Sequence, residues 1–362
     1  KNEIKKLLID QIIERKTMKL SNITKNLLAG ASAIAFTMGA SVTGTLAGGH
    51  SKGTVLKVAS WAGPKHTMNY GVFPWMNNSL KSCSGGSLSL KVEYGLAPPP
   101  AMYDTIRDGV ADIGWIVHGY TPGKFVTTKL AELPGIPGNA QQISTAFQKT
   151  WEKYLSKAKE AKGIQILGSY VHGPGLLNTK KPITSYKQIK GMKLRVGGGV
   201  ANAIGKALGI AGVNVPAPKV YETIASGVAD GVLFPMETMY AFKVAELVKH
   251  TFRNPDGMYT TSFALIQSNS SYKKLSGAHK KCVDSIRGVG MSAKIGGFWD
   301  AADALGEKEA LKLGVKITEP STAERAYYKQ VTSKIEAQVL AQIAKKGVDG
   351  KAALAFFKSQ IK

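Results

Sequence analysis

The sequence predicts an α/β protein of two lobes, with a central cleft, hinge segments between the lobes and a helical C-terminal region. A ten-residue element, residues 103–112, recurs as residues 221–230 with seven identities in the same register. Apolar, strand-like runs alternate with helical stretches, which is typical of α/β folds. From residue 272 onward the pattern becomes mainly helical. The chain has 362 residues, of which 44% are hydrophobic, and this is enough for about two domains.

The recurring element is the strongest sign of two lobes. Its offset is 118 residues (221 − 103), well beyond the roughly 20–50-residue period of solenoid repeats. Each copy has a short helical pattern that ends at Gly109 or Gly227, because glycine takes the left-handed conformation after a helix without a Cβ penalty. Each copy leads into an apolar run that suits a buried parallel strand. The alternative is that a helix–strand piece arose twice by chance. Two α/β lobes would form a cleft in which a small molecule can bind.

The first lobe is predicted over residues 54–171. It opens on a strand over residues 54–60, which is followed by a helix over residues 67–81 and a strand over residues 88–94. The proline run at residues 98–100 excludes regular structure. The first copy of the recurring element follows this loop.

The rest of the first lobe leads into a hinge. A helix is predicted over residues 143–161, with Gly163 after its end, and a strand over residues 164–170. The stretch at residues 171–175 is rich in glycine and proline, which suits a hinge or turn.

The second lobe is predicted over residues 172–259. It contains a strand over residues 191–196, a glycine turn at residues 197–199 and a helix over residues 200–208. Residues 259–267 are rich in β-formers and are expected to cross back, so that the first lobe also includes residues 260–300. Residues 301–362 are expected to pack as helices across both lobes, with helical patterns over residues 298–313, 321–345 and 351–362.

The N-terminus has the pattern of a secretory signal peptide over residues 18–47. Lys19 and Lys25 precede an apolar run, and small residues follow it. Met18 is the expected true start, which makes residues 1–17 an upstream extension, and cleavage is expected near Ala47. The alternative is a membrane anchor. The apolar run is shorter than the roughly 20 residues that span a bilayer, so cleavage is favoured, and with it a periplasmic location.

Charge and cysteine content narrow the function classes. The formal net charge is +24, but the lysines are scattered and no helix-turn-helix or zinc finger is present, so nucleic acid is not expected as a partner. A lysine-rich solvated surface is the favoured interpretation. Cys83 and Cys282 would lie in an oxidising compartment and could pair, although nothing in the sequence places them together.

No cofactor or metal motif is present. The glycine turn at residues 197–199 fails the dinucleotide pattern, since Asn202 stands where the third glycine should be. The histidines form no H-E-x-x-H pattern or Cys/His cluster, and no G-x-S-x-G elbow occurs. The glycine turn could still let an anionic ligand approach the N–H groups of the following helix.

Arg195 is the strongest candidate for a ligand-binding residue. It stands near the end of a predicted strand, beside the glycine turn. A guanidinium offers a planar fork that fits a carboxylate or sulfonate. The alternative is a surface arginine in a salt bridge. His66, His118 and His172 also follow predicted strands, although each could be an ordinary loop histidine.

The motifs together resemble one family. The chain resembles the solute-binding subunit of tripartite ATP-independent periplasmic (TRAP) transporters, of the dicarboxylate-binding-protein (DctP) type. The matching stretches keep the family's order from about residue 54 to residue 320. They are residues 61–66, 97–103, 119–125, 132–134, 172–175, 181–183, 191–195, 231–237 and 242–243.

The resemblance implies a periplasmic binding protein that closes on a small organic acid and docks, as a monomer, on the membrane subunits of a transporter. No cofactor or catalytic residue is implied. Arg195 corresponds to the arginine that holds the ligand carboxylate in that family. Many members carry a further arginine where Pro174 stands here, so the expected ligand is one that a single arginine of the protein can hold. Such ligands are monocarboxylates, keto or hydroxy acids and sulfonates, in preference to C4-dicarboxylates or sialic acid.

The predicted site surrounds Arg195 with aromatic and polar side chains. The aromatic residues are expected to cover the apolar part of the ligand, and the histidines and Tyr120 to supply hydrogen bonds. Glu237 is expected either to orient Arg195 or to receive a polar ligand group, because a buried carboxylate without a partner is costly. The predicted ligand-binding residues are Trp61, His66, Trp115, His118, Tyr120, His172, Arg195, Phe234 and Glu237.

Two other functions remain open from the sequence alone. A binding protein for an ABC importer or a chemosensor would have the same lobes and another partner. A two-domain enzyme, such as an oxidoreductase or a lyase, is disfavoured by the failed glycine pattern and the missing nucleophile and metal motifs.

Overall fold

The computed structural model describes residues 53–255 and 257–362. The predicted upstream extension, signal peptide and cleavage site lie outside these residues. The strands in chain order are β1 (Thr54–Ser60), β2 (Leu88–Tyr94), β3 (Ile113–Val117), β4 (Ile164–Val171), β5 (Leu176–Thr179), β6 (Lys193–Val196), β7 (Ala211–Asn214), β8 (Gly231–Phe234), β9 (His250–Phe252), β10 (Ser262–Ser268) and β11 (Lys316–Thr318).

The strands form two sheets, and each sheet is the centre of one lobe. The first has the order β2-β1-β3-β10-β4, in which β1 runs parallel to β2 and β3, and β10 runs antiparallel to β3 and β4. The second has the order β11-β9-β5-β8-β6-β7, in which β6 runs parallel to β7 and β8. The two-lobed α/β fold predicted from the sequence is confirmed.

The helices cover the sheets and fill the C-terminal part of the chain. Short 3₁₀ segments also occur, among them His118–Tyr120, directly after β3. The α-helices are Phe73–Cys83, Met102–Arg107, Ala140–Lys153, Gly199–Ala207, Val220–Ala225, Thr238–Ala241, Asn269–Lys274, Gly277–Ile286, Val289–Lys312, Thr322–Ala344 and Gly350–Gln360.

The two copies of the recurring element make the same contacts in the two lobes. Thr105 and Thr223 each donate a hydrogen bond to the carbonyl four residues earlier. The Asp112 carboxylate accepts the backbone N–H of Lys57 on β1, and the Asp230 carboxylate accepts that of Lys193 on β6. The shared identities therefore tie each helix–strand unit to a neighbouring parallel strand.

The long helix Val289–Lys312 joins both lobes by close backbone approach. At Gly296 an added Cβ would lie 2.5 Å from the Cα of Gln141, which belongs to a helix on the first lobe. At Gly306 it would lie 2.0 Å from the carbonyl oxygen of Met236, which follows β8 in the second lobe. This helix begins nine residues before the predicted start at residue 298.

Two further features were not predicted. All six strands of the second sheet have only three or four residues, and four of them, β5, β7, β9 and β11, were not predicted, because such lengths are too short for a clear period of two. Cys83 and Cys282 form a disulfide between the helices Phe73–Cys83 and Gly277–Ile286, with a Cα–Cα distance of 5.7 Å. Over the described ranges, no helix is both long and apolar enough to cross a membrane.

Candidate functional site

The ends of several strands from both sheets meet at one cavity. About 30 Å³ of it is open to the centre of a water molecule. A single water needs roughly 10–15 Å³ on that measure, so the walls must move apart to admit a larger ligand. Its walls are mostly aromatic, with a few polar side chains. The lining residues are Trp61, His66, Val117, Tyr120, His172, Arg195, Gly197, Ala217, Phe234, Pro235, Glu237, Phe242, Tyr259, Thr261, Phe263 and Trp299.

Arg195 is buried in this cavity without an anionic partner. It lies on β6 and is 1% exposed. Its Nε donates to the carbonyl of Val215 at 2.9 Å, and one Nη2 hydrogen goes to the hydroxyl of Tyr120 at 3.0 Å. Its guanidinium also stacks 4.3 Å from the ring centroid of Phe234. Within the described part of the chain, no carboxylate forms an ion pair with Arg195. A buried cation without a counter-ion is costly, and an anion bound beside Arg195 would offset that cost.

Tyr120 bridges the two lobes beside Arg195. It follows β3 in the first lobe, and its hydroxyl oxygen accepts hydrogen bonds from Arg195 Nη2 and from the backbone N–H of Ala217, at 2.9 Å. Both donors belong to the second lobe. Because the oxygen already accepts two bonds, the phenol proton remains to be donated, and a ligand carboxylate beside Arg195 can accept it.

The aromatic wall has an inner and an outer layer on the first lobe. The Trp61 ring lines the cavity and stacks on Trp115 with a centroid distance of 3.8 Å. Trp115 is fully buried behind it and does not line the cavity. The two are locked by bonds from Trp61 Nε1 to the Trp115 carbonyl and from Trp115 Nε1 to Ser60 Oγ. The structure thus places Trp115 as the support of Trp61.

Phe234 and Phe242 form the wall on the second lobe. Their rings stack with centroids 5.8 Å apart. Phe234 is the last residue of β8, and the turn that follows brings Phe242 back to the same face. The ligand space therefore lies between aromatic rings from both lobes.

His172 lines the cavity, but both of its nitrogens have backbone partners. Its Nε2 accepts the N–H of Thr261 at 3.1 Å, and its Nδ1 donates to the carbonyl of Gly173. Burial, with a smaller contribution from Arg195, lowers its pKa to about 4. His172 therefore ties together the two segments that cross between the lobes, and it has no ring nitrogen left to bond a ligand.

His118 lies away from this cavity. Its Nδ1 is 3.0 Å from Ser262 Oγ, and its ring packs 4.7 Å from that of Phe125. It faces a separate cavity of about 550 Å³, which Gln148 and Glu160 also line. Burial lowers its pKa to about 3. The 3₁₀ turn after β3 directs Tyr120 into the cleft and His118 to the opposite side.

His66 and Glu237 lie side by side in the cavity wall, with His66 Nε2 3.9 Å from Glu237 Oε1. Burial lowers the pKa of His66 to about 3. Burial, followed by the nearby charge of Asp303, raises the pKa of Glu237 well above 4.5. Burial therefore favours the neutral form of both side chains. No ion pair joins Glu237 to Arg195 among the described residues, so Glu237 does not orient Arg195.

The helix N-terminus beside the glycine turn is occupied by the protein itself. The Glu132 carboxylate accepts the N–H of Val200 at 2.8 Å, and also the N–H and hydroxyl of Ser262. An added Cβ at Gly199 would lie 2.2 Å from Glu132 Oε2. The glycine turn therefore makes room for Glu132, a family-motif residue, at the position that the sequence left open to a ligand anion.

Sequence reasoning missed four aromatic lining residues, Phe242, Tyr259, Phe263 and Trp299. Phe242 lay within a matching motif, and Tyr259 and Phe263 lay in the predicted crossing strand, so these three carried a usable signal. Trp299 carried none, since it comes from the middle of the long helix Val289–Lys312. Its ring reaches the cavity through tertiary packing against His66 and Phe263.

Comparison with known families covers most of the chain. Residues 58–343 match the DctP family, described as bacterial extracellular solute-binding protein, family 7. Among curated proteins, the chain is 24% identical over 291 residues to the outer membrane transporter protein TsaT of Comamonas testosteroni, covering 80% of this chain and 86% of that protein.

Solved structures of high similarity are TRAP solute-binding proteins. One from Bordetella bronchiseptica, with bound (R)- and (S)-mandelate, has a TM-score of 0.83 and 33% identity, covering 85% of this chain and 98% of that one. One from a marine metagenome, specific for aromatic acids and bound to 3-hydroxybenzoate, has a TM-score of 0.81 and 30% identity, covering 86% and 98%. One from Rhodoferax ferrireducens, with copurified benzoate, has a TM-score of 0.81 and 28% identity, covering 85% and 97%. The chain therefore belongs to the DctP family, family 7 of the bacterial extracellular solute-binding proteins, as its motifs predicted.

Proposed function

We propose that this protein captures an aromatic monocarboxylate in the cleft and, as a periplasmic monomer, delivers it to the membrane subunits of a TRAP transporter. The observation that carries the proposal is the buried, unpaired guanidinium of Arg195 beneath aromatic rings from both lobes. The family function, capture of a small organic acid for a TRAP transporter, rests on the family match and its structural relatives. Three of those relatives hold mandelate, 3-hydroxybenzoate or benzoate.

The charge of the cavity favours one carboxylate. Among the described residues that line the cavity, Arg195 is the only one whose side chain carries a positive charge at neutral pH, since His66 and His172 have lowered pKa values. A second carboxylate would meet neutral groups and aromatic faces in a desolvated space, which is costly. Pro174 supplies no second guanidinium. A C4-dicarboxylate is therefore a poor fit.

The aromatic walls of the cavity favour a ligand whose apolar part is a flat ring. Trp61 and Phe234 approach from opposite lobes, and aromatic rings gain about 0.5–1.5 kcal/mol per pair beyond area burial when they stack or meet edge to face. A ligand with a ring beside its carboxylate can use both this wall and Arg195.

Delivery requires the cleft to open and close. The present cavity has room for about two waters, so ligand entry must separate the contacts that Tyr120 makes with Arg195 and Ala217. A carboxylate that binds Arg195 and accepts the Tyr120 proton would restore contact between the lobes. The closed, liganded form is then the species that a transporter can recognise.

A thermal-shift panel tests the proposal. Benzoate or mandelate at about 100 times its Kd is expected to stabilise the protein by about 2.7 kcal/mol. This raises the Tm by about 4 °C for roughly 310 folded residues, since the unfolding entropy is about 2.1 cal/mol/K per residue. Benzamide is the matched control, because it keeps the ring and lacks the charge, and it should give a small shift or none. Stabilisation by succinate, with no shift from any aromatic acid, would contradict the proposal.

A further inference from the structure

A second polar group of residues lies in the cavity away from Arg195. Arg195 contacts Phe234, whose ring stacks on Phe242, and Phe242 meets the ring of His66 at 5.6 Å. His66 in turn lies beside Glu237. The anion site and the His66–Glu237 pair are thus separated by the aromatic wall, and a ring placed against that wall would have its carboxylate at one side and its far edge at the other.

The hydrogen-bond partners of His66 determine which of its ring nitrogens carries the proton. His66 Nδ1 accepts the backbone N–H of Met68 at 3.2 Å. Because His66 is neutral and Nδ1 is an acceptor, the ring proton is on Nε2, which points towards Glu237. The Glu237 backbone N–H donates to the Asp303 carboxylate at 2.7 Å, and this fixes the turn that carries the Glu237 side chain.

Two buried polar atoms here make no hydrogen bond of normal geometry among the described residues, namely Glu237 Oε2 and Trp299 Nε1. The Trp299 indole nevertheless lies close enough to the Glu237 carboxyl to oppose the rise in its pKa. The two side chains are 4% and 1% exposed, and both line the cavity. An unmade buried hydrogen bond is costly, so a carboxyl oxygen and an indole N–H left open in one cavity wall indicate a bonding position for a polar atom of a ligand.

We propose that His66, Glu237 and Trp299 form a hydroxyl-recognition subsite, which selects aromatic acids that carry a hydroxyl on the ring away from the carboxylate. This inference rests on the proposed function. A hydroxyl oxygen can accept from His66 Nε2–H or Trp299 Nε1–H and donate its proton to Glu237. The 3.9 Å between His66 Nε2 and Glu237 Oε1 leaves room for one oxygen at about 2.7–2.9 Å from both.

The subsite also rejects other groups. A second carboxylate would face Glu237 without any cation, and an unsubstituted ring edge would leave the open atoms unpaired. A site with buried polar groups discriminates strongly against ligands that cannot pair them. The subsite of His66, Glu237 and Trp299 therefore recognises the position of the ring hydroxyl, while Arg195 binds the carboxylate.

Calorimetry with benzoate and its 2-, 3- and 4-hydroxy derivatives tests the subsite on the wild-type protein. The 3- or the 4-isomer is expected to bind about 5- to 100-fold more tightly than benzoate. The 2-isomer places its hydroxyl beside the carboxylate, cannot reach the subsite, and should lack this gain. If benzoate binds and no isomer binds more tightly, the open atoms are simply hydrated and the subsite proposal is overturned. If no aromatic acid binds, the proposed function itself fails.

Variants of Glu237 test whether the hydroxyl-recognition subsite causes the preference for hydroxylated rings. Glu237→Leu is expected to reduce the ratio of benzoate Kd to hydroxybenzoate Kd to about one, because the acceptor for the hydroxyl proton is lost. Glu237→Gln should keep most of the ratio, since its amide can both donate and accept. Glu222→Leu, in which an exposed carboxylate is removed from the same lobe, is the matched control. An unchanged ratio in Glu237→Leu would place the discrimination elsewhere and overturn the assignment.

Discussion

Replacement of Arg195 by alanine is expected to weaken the binding of benzoate or a related aromatic acid about 30-fold to several-thousand-fold. The change leaves the ligand carboxylate unpaired in a desolvated cleft, which costs about 2–5 kcal/mol. Arg195→Lys keeps the charge but loses the planar fork that bonds Val215, Tyr120 and the ligand together, so its affinity should fall between those of the wild type and the alanine variant. Titration calorimetry measures both losses.

The control for this series is Arg287→Ala. Arg287 is partly exposed and pairs with Asp284 outside the cleft, so its removal changes the net charge equally without touching the cavity. Thermal unfolding of each variant without ligand shows whether it is folded. Wild-type affinity in a folded Arg195→Ala protein would mean that the carboxylate binds elsewhere in the cleft.

Loss of the Cys83–Cys282 disulfide is expected to lower the free energy of unfolding by about 2–5 kcal/mol. The bond joins residues 199 positions apart, and closing so long a loop removes much conformational freedom from the unfolded chain. Denaturant unfolding of a Cys83→Ser, Cys282→Ser double variant measures the change. A reductant should destabilise the wild type by a similar amount and leave the double variant unaffected. Equal stability of the wild type and the variant in oxidising buffer would show that the crosslink contributes nothing.

The parts of the site that could be predicted lie at strand ends. Strand periodicity and the recurring element located the carboxyl ends of β3 and β8, and the position of Arg195 at the end of β6 followed from the glycine turn. These signals are local, because a strand and the turn after it are encoded by adjacent residues. The sequence accordingly predicted seven of the cavity-lining residues, namely Trp61, His66, Tyr120, His172, Arg195, Phe234 and Glu237.

The parts that could not be predicted depend on long-range packing. Trp299 reaches the cavity only because Gly296 and Gly306 let its helix press against both lobes, and a helical pattern does not show which face meets which neighbour. His118 and Tyr120 are two residues apart in one short 3₁₀ turn. The turn directs their side chains to opposite sides, which the sequence pattern does not show. The pairing of Cys83 with Cys282 likewise depends on two helices that are distant in sequence.

The difference between local and long-range information also applies to the chemistry of the site residues. The guanidinium of arginine is planar and charged wherever it lies, so the sequence alone could name its partner class as carboxylate or sulfonate. The behaviour of Glu237 could not, because its raised pKa comes from burial and from Asp303, a residue 66 positions away. The direction of this pKa shift became visible only in the folded protein.

The central claim is that the cleft holds a ligand carboxylate on Arg195. A crystal structure of the protein with the aromatic acid that gives the largest thermal shift tests it most directly. Both carboxylate oxygens are expected within about 2.7–2.9 Å of the Arg195 guanidinium nitrogens, with the ring between Trp61 and Phe234 and the Tyr120 hydroxyl at hydrogen-bond distance. A ligand bound outside the cleft, or bound in it with its carboxylate on another residue, would contradict the account.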